Sequence, residues 1–81
     1  MSERVLTLYE RRGCHLCDDM AAALKPSLVA SGVALQTVDI DTDPALKARF
    51  VWDVPLLFDG DVEICRHEFN PTAFAVWLGK V

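Results

Sequence analysis

Cys14 and Cys17 enclose His15 and Leu16, and this C-x-x-C is where the chain could do chemistry. If the second thiol lies one turn inside a helix, the two sulfurs are near enough to join and part again. The reacting species is thiolate, and an ordinary cysteine is mostly protonated at neutral pH. A helix N-terminus offers unpaired N–H groups and a partial positive charge, both of which favour the anion. Gly13 breaks the pattern before the motif, so Cys14 falls at a helix start. Cys14 is expected to attack a disulfide, and Cys17 to resolve the mixed disulfide that forms. Arg11 and Arg12 put positive charge just ahead of the motif, and His15 adds to it when protonated. Asp18 and Asp19 push the other way, most strongly on Cys17. Arg11 and His15 are candidate redox-tuning residues; both also fit plain solvent-facing positions.

A C-x-x-C can also be half of a zinc site. The other soft ligands here are Cys65 and His67, with His15 in reserve, and the Cys65-x-His67 spacing is tighter than zinc pairs usually show. A C-x-x-C beside a strand–helix–strand pattern favours redox use, so no metal is assigned. Cys65 reads as a small buried apolar residue on a strand, and His67 as a loop residue. A third reading keeps the fold and makes the cysteines vestigial in an interaction module.

The elements that must position the pair follow from periodicity. Residues 4–9 alternate and are rich in β-formers, giving a first strand with Val5 on one side and Leu6 and Leu8 on the other. From Cys14 onward Leu16, Met20, Leu24 and Leu28 recur every four residues, as on one helix face. Pro26 removes one helical hydrogen bond and is expected to kink or restart that helix. Ser31-Gly32 closes it. Residues 33–40 read as strand two. Asp43-Pro44 then joins a side-chain cap to a proline whose missing N–H costs nothing at the first helical position. A short helix over residues 45–50 turns Leu46 and Phe50 to one side. Residues 54–58 read as strand three, Asp59-Gly60 as a hairpin turn, and residues 62–65 as strand four. Asn70-Pro71 repeats the cap-and-proline device before a last helix with Phe74, Trp77 and Leu78 on its inner face. The order β-α-β-α-β-β-α implies parallel first and second strands joined by a right-handed crossover, and an antiparallel third and fourth. The fold class is α/β, a four-stranded mixed sheet flanked by helices.

The chain has 81 residues, which predicts one domain over residues 1–81, and its 52% hydrophobic content suffices for one core. Its formal charge of −4, with no Lys/Arg run among aromatics, argues against nucleic acid as a partner. No apolar run approaches the roughly 18 residues that span a bilayer, and residues 1–5 show no secretory leader. Three cysteines do not make a disulfide framework. The expected setting is a cytoplasmic monomer acting on disulfide-containing proteins or small thiols.

Tyr9-x-Arg11-x-x-Cys14-x-x-Cys17 after the first strand, Val54-Pro55 opening the third, and the element order together resemble the glutaredoxins of the thioredoxin fold superfamily. The wording around the motif is similar to small bacterial glutaredoxin-like proteins. The resemblance covers the whole chain. It implies dithiol–disulfide exchange with no bound cofactor and with glutathione as a co-substrate. It implies that Arg11 meets glutathione's glycine carboxylate and that Val54 offers its backbone to a peptide-like substrate. It also implies a cis Pro55 facing the cysteines, whereas composition alone favours trans, since only about 5–6% of X–Pro bonds are cis. The departures are His15-Leu16 for the usual Pro-Tyr, Asp53 where Thr or Ser usually precedes Val-Pro, and Cys65-Arg66-His67-Glu68 in place of a glycine pair.

Overall fold

The structure, a computed structural model, describes residues 4–79. Strand β1 (Val5–Glu10) leads into helix α1 (His15–Ser31), then β2 (Ala34–Asp39), a single 3-10 turn (Ile40–Thr42), α2 (Pro44–Phe50), β3 (Leu56–Asp59), β4 (Val62–Arg66) and α3 (Pro71–Leu78). The sheet order is β2-β1-β3-β4. β1 and β2 run parallel, from Val5 opposite Ala34 to Glu10 opposite Asp39. β3 is antiparallel to β1, with Tyr9 opposite Leu56, and to β4. This is the expected element order in a thioredoxin-like arrangement.

Both faces of the sheet are covered. Leu6, Leu8, Leu57 and Cys65 pack with Met20 and Leu24 of α1 and Phe74 of α3. On the opposite face Leu56 and Phe58 pack with Ile40 and Phe50, and Tyr9 joins them. Ring centroids there lie 4.9 Å apart for Tyr9 and Phe50 and 5.4 Å for Tyr9 and Phe58. Thr7, on this second face, is buried with its hydroxyl accepting from Gln36 Nε2 at 2.8 Å. Val5 is exposed at the strand's start.

Three local expectations need correction. Leu16 is half exposed, while Cys17, Met20 and Leu24 form the buried stripe of α1. A four-residue spacing advances about 40° per step round a helix, so Leu16 and Leu28 fall at the margins and Cys17 turns inward. Helix α1 passes through Pro26 without restarting. Ala22, whose carbonyl loses its partner, and Pro26 are both exposed, so water can take the missing bond. Strand β2 ends at Asp39, because the Asp39 carboxylate accepts the Asp41 N–H at 2.9 Å and turns the chain into the 3-10 turn. The two cap-and-proline starts hold: Asp43 accepts from Ala45 N–H at 2.9 Å and Asn70 from Ala73 N–H at 3.0 Å. No helix of the described residues is long and apolar enough to cross a membrane.

Candidate active site

Gly13, at φ +71°, takes the left-handed turn between β1 and α1 that a side chain would resist. Cys14 follows in an extended conformation as the N-cap of α1. Its Sγ accepts the Cys17 N–H at 3.1 Å, one of the amides that a helix start leaves unpaired. The Cys14 and Cys17 sulfurs are at disulfide distance, with their Cα atoms 5.2 Å apart. The two cysteines differ in access: Cys14 is half-buried and Cys17 is 1% exposed. On reduction, the sulfur that water and a substrate can reach is the one held against the helix N-terminus. His15 and Arg12 are exposed beside it.

Arg11 is committed elsewhere. Its Nε and Nη2 donate to the two oxygens of Asp41 at 3.2 and 3.1 Å, and Lys47 shares that carboxylate at 3.5 Å. Arg66 is likewise matched. It donates to Glu63 at 2.7 and 2.6 Å and pairs with Asp53 at 3.2 Å. These bonds hold the Glu63 carboxyl below its ordinary range and raise the Arg66 guanidinium. His67 Nε2 lies 3.7 Å from the same Asp53. Asp53, an unusual residue before Val-Pro, is therefore ion-paired with Arg66 and has the His67 ring beside it.

The Val54–Pro55 bond is cis, as the resemblance implied and against the reading from composition. Pro55 is fully buried and its carbonyl accepts the His67 N–H at 2.7 Å. The antiparallel register sets Leu56 opposite Tyr9, so Pro55 lies at the same end of the sheet as Glu10 and the loop into Cys14. The Val54 N–H donates to the Phe50 carbonyl at 3.2 Å.

Two neighbours, Glu10 and Trp52, escaped the sequence reading. Glu10 ends β1 opposite Asp39, and burial, then Asp39 and Asp18, push its carboxyl up; the parallel pairing of two strands both ending in an acid was the available signal. Trp52 is 89% exposed on the loop that enters Pro55. His67 sits at φ +71° at the centre of a three-residue turn closed by Glu68 N–H to the Arg66 carbonyl at 2.8 Å. Such turns are rare outside glycine. Cys65 is buried on β4 and burial pushes its thiol up. Among the described residues no three His, Cys, Asp or Glu side chains gather as a metal site.

A cleft of about 300 Å³ runs from Leu16, inside the cysteine motif, along α1 to the turn at His67. A larger one, about 580 Å³, follows β4 and the start of α3, and neither cleft is lined by Cys14 or Cys17 themselves.

The family model described as Glutaredoxin-like domain (DUF836) matches residues 5–79. Among solved structures, a protein of Nitrosomonas europaea is 30% identical, over 95% of this chain and 93% of its own, with a TM-score of 0.83. An X-ray structure of a protein from X. campestris is 36% identical, over 94% and 97%, with a TM-score of 0.72. Thioredoxin 1 of Thermosipho africanus, 18% identical over 93% and 94% with a TM-score of 0.62, shares the fold. No curated protein matches the chain.

Proposed function

We propose that this chain, which belongs to the glutaredoxin-like domain family, is a dithiol–disulfide oxidoreductase. The observation that carries the reading is the unequal placement of two sulfurs at disulfide distance: Cys14 accessible at the N-cap of α1, Cys17 buried one turn behind it. The Cys14 thiolate attacks a substrate disulfide, forms a new S–S bond to one substrate sulfur and releases the other as thiolate. Cys17, losing its proton to water, then attacks Cys14 and expels the remaining substrate thiolate. Two electrons pass from the Cys14–Cys17 pair to the substrate, which leaves as two thiols. Only the accessible sulfur can begin this sequence, and only the buried one is placed to finish it.

Restoring the dithiol takes two electrons from two external thiols, which leave joined as a disulfide. Glutathione is the reductant of the expected cytosolic setting, as a co-substrate rather than a bound cofactor. The cysteine usage supports that setting: one C-x-x-C and one buried free thiol, not a framework. Two side chains support polypeptide disulfides, rather than glutathione disulfide, as the substrate. Arg11, where glutaredoxins place a basic residue for glutathione, is held by Asp41, and Asp53 puts a carboxylate beside Pro55.

The test is turnover of a fluorogenic peptide disulfide with dithiothreitol as the reductant. Cys14→Ala should lose all turnover and keep the native circular dichroism. Cys17→Ser, reduced and then freed of dithiothreitol before the peptide disulfide is added, should hold a mixed disulfide on Cys14, visible by mass spectrometry. Undiminished turnover by Cys14→Ala would overturn the proposal.

A further inference from the structure

The cleft beside the cysteine motif has a composition that selects its occupant. It opens at Leu16, the residue between the two cysteines that is half exposed, and Met20, Ala23 and Phe69 continue its apolar wall. Its rim carries Asp19 and Glu68, both exposed and neither in an ion pair among the described residues. Arg66, the cation at the end of β4, is divided between Glu63 and Asp53 and does not neutralise that rim. The far wall is held in place by the His67 N–H bond to the Pro55 carbonyl and by the tight turn at His67 that carries Glu68 and Phe69. One end of the cleft is thus part of the cysteine motif, and the other hangs from the residue after Val54.

We propose that this cleft binds a lysine or arginine side chain of a polypeptide disulfide substrate, one or two residues from its reacting cysteine. The proposal rests on the exchange chemistry above and names its substrate class. A long cationic side chain suits an apolar trough with an acidic rim, because its alkyl stem covers apolar surface while its head stays among carboxylates and water. One or two residues of extended chain reach about 3.5–7 Å, and Leu16, at one end of the trough, stands two residues from Cys14 in the chain. An acidic flanking residue would place like charges together without a partner. Glutathione, with two carboxylates and one ammonium, meets the same penalty.

Blocked tripeptide disulfides with Lys, Gln or Glu flanking the cysteine separate these possibilities. An exposed ion pair is worth up to roughly fivefold, so reversing the sign of the flanking charge against two carboxylates should change kcat/KM about tenfold, Lys over Glu. Added salt should shrink the ratio. The double variant Asp19→Asn, Glu68→Gln should bring it close to one. An equal rate for all three peptides with turnover intact would overturn the cleft proposal and leave the exchange chemistry standing; loss of all turnover would strike the chemistry. A readout independent of turnover is an amide-shift titration with the Lys peptide carrying Ser for Cys. Shifts at Leu16, Ala23 and Phe69, absent with the Glu peptide, support the site. No shifts there would overturn it whatever the turnover.

Discussion

The sharpest consequence of the site geometry is a hierarchy among the three thiols once the protein is reduced. Cys14 is accessible and held at a helix start, Cys17 is 1% exposed in the first turn, and Cys65 is 9% exposed between β3 and α3. Brief treatment with dithiothreitol followed by timed alkylation with iodoacetamide, read by peptide mass spectrometry, measures the three rates. Cys14 should react as an open thiol. Cys17 must wait for the first turn of α1 to fray. If that local opening costs about 3 kcal/mol, it suppresses the rate roughly 100-fold, a factor of ten for each 1.4 kcal/mol. Cys65 lies within the core, so its reaction needs a larger opening. At roughly 0.05–0.15 kcal/mol per residue the whole domain has about 4–12 kcal/mol to lose, which puts Cys65 at least about 1,000-fold behind Cys14. Burial also pushes the Cys65 thiol up, which lowers its reactive fraction in the same direction. Cys14→Ser should remove the fast phase and leave the two slow ones. The reasoning fails if Cys17 or Cys65 labels within tenfold of Cys14 in folded protein.

Further consequences are as direct. Leu24, fully buried between α1 and the sheet, should cost about 2–5 kcal/mol when cut to Ala, read as a fall in the urea midpoint with unchanged slope; a loss under 1 kcal/mol would contradict the packing. Trp52→Ala should leave stability within about 0.5 kcal/mol, because the side chain is 89% exposed, yet slow reduction of polypeptide disulfides if its loop meets the substrate; unchanged peptide kinetics would remove it from the docking face. The pH dependence divides between two acids. Glu63 is held down by Arg66, so its contribution is full above the ordinary carboxylate range and is lost as pH falls through its lowered value. Glu10 is pushed up, so its penalty is present at neutral pH and relieved as pH falls through its raised value. Glu10→Gln should therefore stabilise at neutral pH by roughly 0.5 kcal/mol, given its partial exposure, and give nothing in acid; a loss at neutral pH would refute the sign.

The amino-acid sequence by itself determined the features that depend on neighbours along the chain. The C-x-x-C at a strand–helix junction, the helix starts at Asp43-Pro44 and Asn70-Pro71, the turn at Asp59-Gly60 and the element order are local: they follow from φ preferences, capping oxygens and apolar period. The tertiary structure decided what depends on partners far off in sequence. Arg11 meets Asp41 across 30 residues, an ion pair that no local pattern announces. Arg66 and His67 gather on Asp53 only because β4 returns beside the loop before Pro55. The cis Val54–Pro55 bond is adopted where that loop enters the sheet, and no local preference in the chain selects it. Leu16 faces outward because the inward-turned stripe of α1 begins at Cys17, and that one rotation both buries Cys17 and sets Leu16 at the end of the trough. Side-chain pairing and facing are through-space quantities, set by how the sheet brings distant segments to one end, and a linear pattern does not contain them.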